Sequence, residues 1–119
     1  RVLFRSGPNF QAASVADAQA QLRRHNLPDS LIVDCSHANS SKQYARQVNV
    51  CADLAGQIAK GNRGIRGIML ESHLVAGRQE PVPGQELVYG QSVTDACLDL
   101  ETTMATLAEL AAAAGFGSV

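Results

Sequence analysis

The fold is indicated by a short apolar run that leads directly into polar residues, Leu31-Ile32-Val33-Asp34-Cys35-Ser36-His37. A continuous apolar run of this length is typical of a parallel strand that is buried on both faces. Similar arrangements recur at Ile65 to Glu71 and, in shorter form, at Ser92 to Asp95. Segments with helical spacing separate these runs. The alternation predicts an α/β fold that is built on parallel strands.

Three helices are predicted around these strands. The first begins with Ser14 as its N-cap and ends near His25. The second opens at Ser40 or Ser41 and ends at Gly61. Its apolar stripe is expected to consist of Tyr44, Val48, Cys51, Leu54 and Ile58.

The C-terminal part of the chain should contain a long loop and a final helix. Between Leu74 and Tyr89, two prolines and two glycines exclude a helix. Loops of this length in compact domains often carry function. The final helix is expected from Leu100 to Ala114, and its inward side is predicted to consist of Met104, Leu107, Leu110 and Ala111.

Composition excludes several classes of protein. A chain of 119 residues permits one small domain, and an apolar content of 45% is sufficient for a core. A formal charge of −1 provides no basic face for nucleic acid, and no apolar run approaches the roughly 20 residues of a membrane span. The odd set of Cys35, Cys51 and Cys97 predicts reduced thiols in the cytoplasm rather than disulfides.

The first six residues are interpreted separately from the rest. Residues 1–6, RVLFRS, are the peptide that a common short-read sequencing adapter encodes when it is translated in frame. We therefore predict that this segment is non-native and that a single domain occupies residues 7–119. The alternative is a genuine short strand, because Val2, Leu3 and Phe4 are apolar.

A side chain that can bind a metal follows each predicted strand, namely His37, Glu71 and Asp95. In a (β/α) barrel the C-terminal ends of the strands face one shared mouth, where residues distant in sequence meet. One imidazole and two carboxylates suit Mn, Fe, Co or Zn, and three ligands leave room for another ligand and for substrate or water. The alternative is that each residue caps the following helix or binds loop backbone.

The remaining ionisable residues are weaker candidates. His25 is expected to be solvated at a helix C-terminus, and His73 could point towards or away from the strand ends. Cys51 is expected in the core, whereas Cys35 and Cys97 could be packing residues or ligands, with packing favoured. Solvation is expected for a scattered set of cations that could otherwise bind phosphate, Lys42, Arg46, Arg63, Arg66 and Arg78.

Four stretches, in order and spread over about residues 7–114, resemble a known enzyme family. They are residues 34–43, which contain the string SHANSSKQ, residues 50–53 (VCAD), residues 67–74 (GIMLESHL) and residues 89–97 (YGQSVTDAC). Together they resemble the metal-dependent type I 3-deoxy-D-arabino-heptulosonate 7-phosphate (DAHP) synthases of the shikimate pathway. The SHANSSKQ string is the most characteristic of the four.

The resemblance implies the C-terminal part, about the last three βα units, of a TIM (β/α)8 barrel that takes about 250 residues when complete. It implies condensation of phosphoenolpyruvate with erythrose 4-phosphate to DAHP and phosphate, the first step towards the aromatic amino acids. The family holds its metal through a Cys, a His, a Glu and an Asp, and His37, Glu71 and Asp95 match three of them. The Cys lies in an upstream part that this chain lacks, as do most phosphate-binding Arg and Lys residues.

The resemblance also sets expectations for roles and partners. His37 is expected to be catalytic as well as a ligand, and both His37 and Asp95 are expected to contact substrate. The parent enzyme is expected to be a cytoplasmic homo-oligomer that binds neither nucleic acid nor membrane, while the isolated chain is expected to be inactive. Two alternatives remain, a stand-alone non-catalytic α/β module that binds a metal or an anion, and a fragment that does not fold stably.

Overall fold

A computed structural model describes residues 7–116, so the segment predicted to be adapter-derived, residues 1–6, lies outside the described residues. The predicted α/β class is confirmed. Helices and strands follow in the order α1 (Ala12–Arg24), β1 (Leu31–Asp34), α2 (Gln47–Ala59), β2 (Ile65–Met69), β3 (Val75–Arg78), β4 (Gln91–Ser92) and α3 (Leu100–Ala113). Two short 3-10 turns, His37–Ser40 and Tyr44–Arg46, lie between β1 and α2.

The strands form two small parallel sheets. In the first sheet β1 pairs with β2, from Leu31 opposite Ile65 to Asp34 opposite Met69. In the second sheet β3 pairs with β4 at two positions. Within residues 7–116 these sheets do not close into a barrel. Parallel pairing nevertheless directs the C-terminal ends of paired strands to the same edge, which is where the candidate site lies.

The core lies between the first sheet and helices α1 and α2. Its buried members come from all four of these elements and from the residue after β1, and they are Val15, Val33, Cys35, Val50, Cys51, Leu54 and Ile65. The prediction that Cys51 and Leu54 belong to a buried helix stripe is confirmed. This core fixes the ends of β1 and β2 relative to one another.

Helix α1 begins at Ala12, two residues before the predicted N-cap Ser14, which was wrong. The segment before the helix is held by long-range hydrogen bonds. The Asn9 amide donates to Oδ1 of Asn39 at 2.6 Å, and Nε2 of Gln57 donates to the Phe10 carbonyl at 2.8 Å. These contacts hold the chain extended up to the point where the helix starts.

Helix α2 begins at Gln47, so the predicted start at Ser40 or Ser41 was also wrong. Ser41 and Lys42 have φ angles of 54° and 60°. This left-handed conformation is incompatible with a continuing right-handed helix. Two 3-10 turns therefore occupy the place of the predicted first helical turns.

Helix α3 has the predicted extent, but its buried side differs from the prediction. Met104 and Leu107 are 60% and 42% exposed, whereas Thr103 and Thr106 are buried. The Ser72 and Thr103 hydroxyls form a hydrogen bond of 2.6 Å, which fixes the rotation of the helix. Leu110, also predicted to face inward, is partly buried against the core.

The stretch from Leu74 to Tyr89 contains no helix, as predicted, but it does contain strand β3. The strand sequence Val75-Ala76-Gly77-Arg78 has only weak apolar alternation, and Gly77 adopts a φ of 85°. The strand is therefore recognised by its pairing with β4 rather than by its composition. Among residues 7–116, no helix combines the length and the apolar character needed to cross a membrane.

Candidate metal centre

The side chains of His37, Glu71 and Asp95 meet beyond the ends of β1, β2 and β4. One potential ligand atom from each residue lies within 4.8 Å of those from the other two. Each of the three residues follows closely after its strand. Parallel pairing brings the C-terminal ends of β1 and β2 together, and Asp95 reaches them from β4 of the second sheet. The residues that the sequence singled out are therefore neighbours in space.

His37 is oriented by the carboxylate at the end of β1. Its Nδ1 lies 2.8 Å from Oδ2 of Asp34, and its Nε2 lies 3.9 Å from Oε2 of Glu71. A carboxylate at Nδ1 favours the tautomer that carries its proton there, which leaves the Nε2 lone pair available to a cation. The hydrogen bond to Asp34 also raises the pKa of His37 above its usual value, and the charges of Asp34, Glu71 and Asp95 act in the same direction.

Glu71 is held through both its side chain and its main chain. The Ser36 hydroxyl donates a hydrogen bond to Oε1 of the carboxylate, which leaves Oε2 on the side of His37. The Glu71 amide donates to Oε1 of Gln47 at 2.8 Å, and Nε2 of Gln47 donates to the Glu71 carbonyl at 3.1 Å. The Leu98 amide donates to the same carbonyl at 2.9 Å.

Asp95 is exposed, and its position depends on its neighbours. The Thr94 amide donates to the Ser92 hydroxyl at 3.1 Å. Nε of Arg78 donates to the Thr94 carbonyl at 2.7 Å. These bonds shape the turn that carries Asp95 towards the other two residues.

An open cavity of about 610 Å³ surrounds the three residues. Its lining includes two cations, Lys42 and Arg78, and the aromatic residue Tyr44. Both cations were expected to be solvated, and both are exposed, but they also line this cavity. Their positions place positive charge beside a carboxylate-rich centre, where an anionic ligand would be favoured.

The other candidates lie apart from this group. His25 is exposed, as expected, with its Nδ1 2.9 Å from the Gln21 carbonyl. His73 is exposed, and its Nδ1 accepts the Leu74 amide at 2.8 Å. Among the described residues, the group of potential ligands includes neither histidine.

The three thiols are free and buried. The sulfur atoms of Cys35 and Cys51 are 3.5 Å apart inside the core, and the hydrogen bond from Cys51, together with burial, raises the pKa of Cys35. Burial likewise raises the pKa of Cys97. The contact between Cys35 and Cys51 lowers the pKa of Cys51. All three thiols are buried, and among the described residues the group of potential ligands includes none of them, which favours packing over metal binding.

The donor set of the three residues fits a divalent cation. One imidazole nitrogen with two carboxylates suits a borderline to hard ion, and three protein ligands leave coordination positions open for other groups. The fold and the site together define a parallel α/β protein with a candidate metal centre at its strand ends. A family model described as "DAHP synthetase I family" matches residues 2–108. The chain belongs to this family.

Individual relatives agree with the family assignment. The chain is 47% identical over 112 residues to the Phe-sensitive phospho-2-dehydro-3-deoxyheptonate aldolase of Escherichia coli K12, covering 92% of the chain and 32% of the relative. It is 46% identical over 114 residues to the Trp-sensitive enzyme of Salmonella typhi, covering 94% of the chain and 33% of the relative. The solved structure of the Francisella tularensis SCHU S4 aldolase superposes with a TM-score of 0.86 at 43% identity, covering 92% of this chain and 31% of that one. The chain thus spans about a third of the length of these relatives.

Proposed function

We propose that this chain supplies the C-terminal portion, about the last three βα units, of a metal-dependent DAHP synthase with a (β/α)8 barrel. The enzyme would condense phosphoenolpyruvate with erythrose 4-phosphate to give DAHP and phosphate in the cytoplasm, as a homo-oligomer. Family membership supports this assignment. The observation that carries it is the approach of His37, Glu71 and Asp95 to within 4.8 Å.

In this proposal His37, Glu71 and Asp95 are three ligands of a Mn, Fe, Co or Zn ion, and a Cys from outside this chain is the fourth. The bound ion would supply Lewis acidity towards a substrate oxygen. Asp34 keeps the Nδ1 proton of His37 in place, at 2.8 Å, so that Nε2 faces the centre. Ser36 orients the Glu71 carboxylate by donating a hydrogen bond to its Oε1.

His37 and Asp95 are also proposed to contact substrate, with His37 in a catalytic role. Both side chains are exposed to the cavity, so each retains free surface in addition to the atom that faces the centre. Lys42 and Arg78 line the same cavity and would attract the carboxylate and phosphate groups of the substrates. Arg78 is already bonded to the Thr94 carbonyl and to Glu80, so Lys42 is the freer of the two to follow a ligand.

Metal binding by the chain itself is the first test. Titration calorimetry with MnCl2 should detect one site, and His37→Ala, Glu71→Gln and Asp95→Asn should each lower the affinity by at least about tenfold. His73→Ala is the matched control, because His73 is an exposed histidine two positions beyond Glu71 whose side chain accepts the Leu74 amide and is not in the group of potential ligands. Absence of binding, or equal losses in the control, would contradict the metal centre.

A chimera tests the synthase function separately. Residues 7–119 would replace the matching third of the Phe-sensitive E. coli relative, which is 47% identical. We expect synthase activity from the chimera, loss of that activity with His37→Ala, and no activity from the isolated chain. Tight Mn binding by the chain together with an inactive, well-folded chimera would favour the alternative, a non-catalytic binding module.

A further inference from the structure

Gln47, the first residue of α2, is a fully buried polar side chain with an exposure of 0%. Buried amides require hydrogen-bond partners, because an unpaired one costs about 1–3 kcal/mol. Both ends of this amide are bonded to the main chain of a single residue, Glu71. The side chain is therefore linked to the candidate metal centre through the main chain of Glu71. It is not among the residues that line the cavity.

The two bonds continue the pairing of the main chain after β2, beyond the point where hydrogen bonds from the β1 side end. The last hydrogen bond from the β1 side runs from the Cys35 amide to the Met69 carbonyl at 2.9 Å, and it ends two residues before Glu71. Beyond that point Gln47 accepts the Glu71 amide at 2.8 Å and donates to its carbonyl at 3.1 Å, as an adjacent strand would. The Leu98 amide also donates to this carbonyl, at 2.9 Å.

We propose that Gln47 is a positioning residue that sets the direction of the Glu71 carboxylate and thereby the affinity and coordination geometry of the metal centre. The inference rests on the proposed function, since it concerns the same centre. Ser36 binds one oxygen of the Glu71 carboxylate. Gln47 binds the Glu71 main chain, which determines where the side chain begins. The distance of 3.9 Å between Nε2 of His37 and Oε2 of Glu71 depends on both contacts.

The structure also explains why the contact needs an amide. Only a side chain with a donor and an acceptor can bind both the N–H and the C=O of Glu71. Methionine at position 47 would fill similar space and remove the acceptor that the Glu71 N–H binds. Loss of a group that orients a metal ligand typically lowers metal affinity by about 10–100-fold.

The test compares Gln47→Met with Gln57→Met in the full chain. Gln57 lies on the same helix and is 9% exposed. Its Nε2 donates to the Phe10 carbonyl at 2.8 Å and to Oδ1 of Asp53, and neither contact involves the candidate metal centre. Two quantities are measured, the affinity for Mn by calorimetry and the visible absorption spectrum of the Co-loaded chain. We expect Gln47→Met to lower the affinity about tenfold or more and to shift the Co bands, and Gln57→Met to leave both unchanged.

The outcomes separate this inference from the proposed function. Equal affinity and an unchanged Co spectrum in Gln47→Met would overturn the inference alone, while the wild-type chain still bound Mn. A wild-type chain that bound no Mn would overturn the proposed centre and this inference together.

A measurement on the wild-type chain guards against a Gln47→Met variant that fails to fold. The Glu71 amide should exchange its hydrogen slowly, because it is bonded to a buried acceptor. Rapid exchange of that amide in the folded wild-type chain would show that Gln47 does not hold Glu71, and would overturn the inference.

Discussion

The two sheets carry the candidate metal centre in different ways. The first sheet, β1 with β2, pairs at four positions and rests on the buried core beneath α2. The second sheet, β3 with β4, pairs at only two positions. Exposed apolar side chains surround it, among them Leu74, Val75, Leu87, Val88 and Tyr89. His37 and Glu71 thus follow strands that packing holds, whereas Asp95 follows a strand that polar contacts hold.

Glutamine side chains provide much of the support in the second sheet. Nε2 of Gln79 donates to the Val88 and Gln91 carbonyls at 2.8 and 2.9 Å, and the Val88 amide donates to Oε1 of Gln79 at 2.8 Å. Nε2 of Gln91 donates to the Ala76 carbonyl at 2.8 Å. The centre therefore combines two groups on strands that core packing holds with one group whose position depends on hydrogen bonds.

The largest difference is expected when a leucine is truncated to alanine, once in the core beneath the first sheet and once beside the second sheet. Leu54 on α2 is fully buried, whereas Leu87 beside the second sheet is 52% exposed. Leu54→Ala should lower the free energy of unfolding by about 2–5 kcal/mol, because it leaves a cavity in the core. Leu87→Ala should change it by about 0.5 kcal/mol or less. Urea unfolding followed by circular dichroism measures both, and similar losses would contradict the assigned difference between the regions.

Removal of the Gln79 amide should open the second region alone. Gln79→Ala deletes three hydrogen bonds to main-chain groups. The amides of the loop between β3 and β4 should therefore be less protected from hydrogen exchange. At about 1 kcal/mol for each bond, exchange of the Val88 amide should accelerate by at least about tenfold. Gln85→Ala, an exposed glutamine of the same loop, is the control. Faster exchange in the first sheet as well would show that the two sheets open together.

A smaller effect is expected where the second sheet meets the centre. Ser92 is buried, and its hydroxyl accepts the Thr94 amide at 3.1 Å, just before Asp95. Ser92→Ala keeps the net charge but loosens this turn, so Mn affinity should fall by about fivefold, the equivalent of about 1 kcal/mol. Ser30→Ala is the exposed control for the same substitution. Unchanged affinity would show that Asp95 needs no help from this turn.

Local pattern predicted the strand ends well, because apolar runs followed by polar residues depend on sequence alone. His37, Glu71 and Asp95 were expected to lie close together, and their potential ligand atoms lie within 4.8 Å. Their role as ligands stays a prediction. Gln47 and Gln79 were not anticipated, since a buried glutamine has the same sequence signature as a solvated one.

Two features depend on tertiary contacts or backbone conformation and could not be predicted from the sequence pattern. The buried face of α3 follows from the bond between the Ser72 and Thr103 hydroxyls, and this pairing of residues 31 positions apart leaves no periodic signal. The late start of α2 follows from the left-handed backbone of Ser41 and Lys42. Neither residue is a glycine or an asparagine, which are the usual sequence indications of that conformation.

The smallest expected effect lies at Asp99, the N-cap of α3. Asp99 follows Leu98, whose amide donates to the Glu71 carbonyl just beyond the end of β2. The Asp99 carboxylate caps the helix by accepting the Thr102 amide at 2.7 Å. This hydrogen bond lowers the pKa of Asp99 below its usual value. A carboxyl group whose pKa is lowered on folding stabilises the fold above its unfolded pKa, and that contribution disappears as the pH falls through the folded pKa. Stability should therefore decline slightly on account of this group as the pH falls below the usual pKa of an aspartate, about 4.

Asp99→Asn tests this pH dependence, because asparagine offers the same acceptor without titrating. Urea unfolding at several pH values should show a slightly smaller decline for Asp99→Asn than for the wild-type chain. Asp99→Ala should be less stable than the wild-type chain near neutral pH, because it removes the cap as well as the charge. Since α2 and the first sheet do not depend on this cap, the exchange of their amides should be the same in all three chains. Parallel pH curves for the wild-type chain and Asp99→Asn would mean that the cap acts only through its hydrogen bond, and that the charge of Asp99 adds nothing to the junction between α3 and the strand ends.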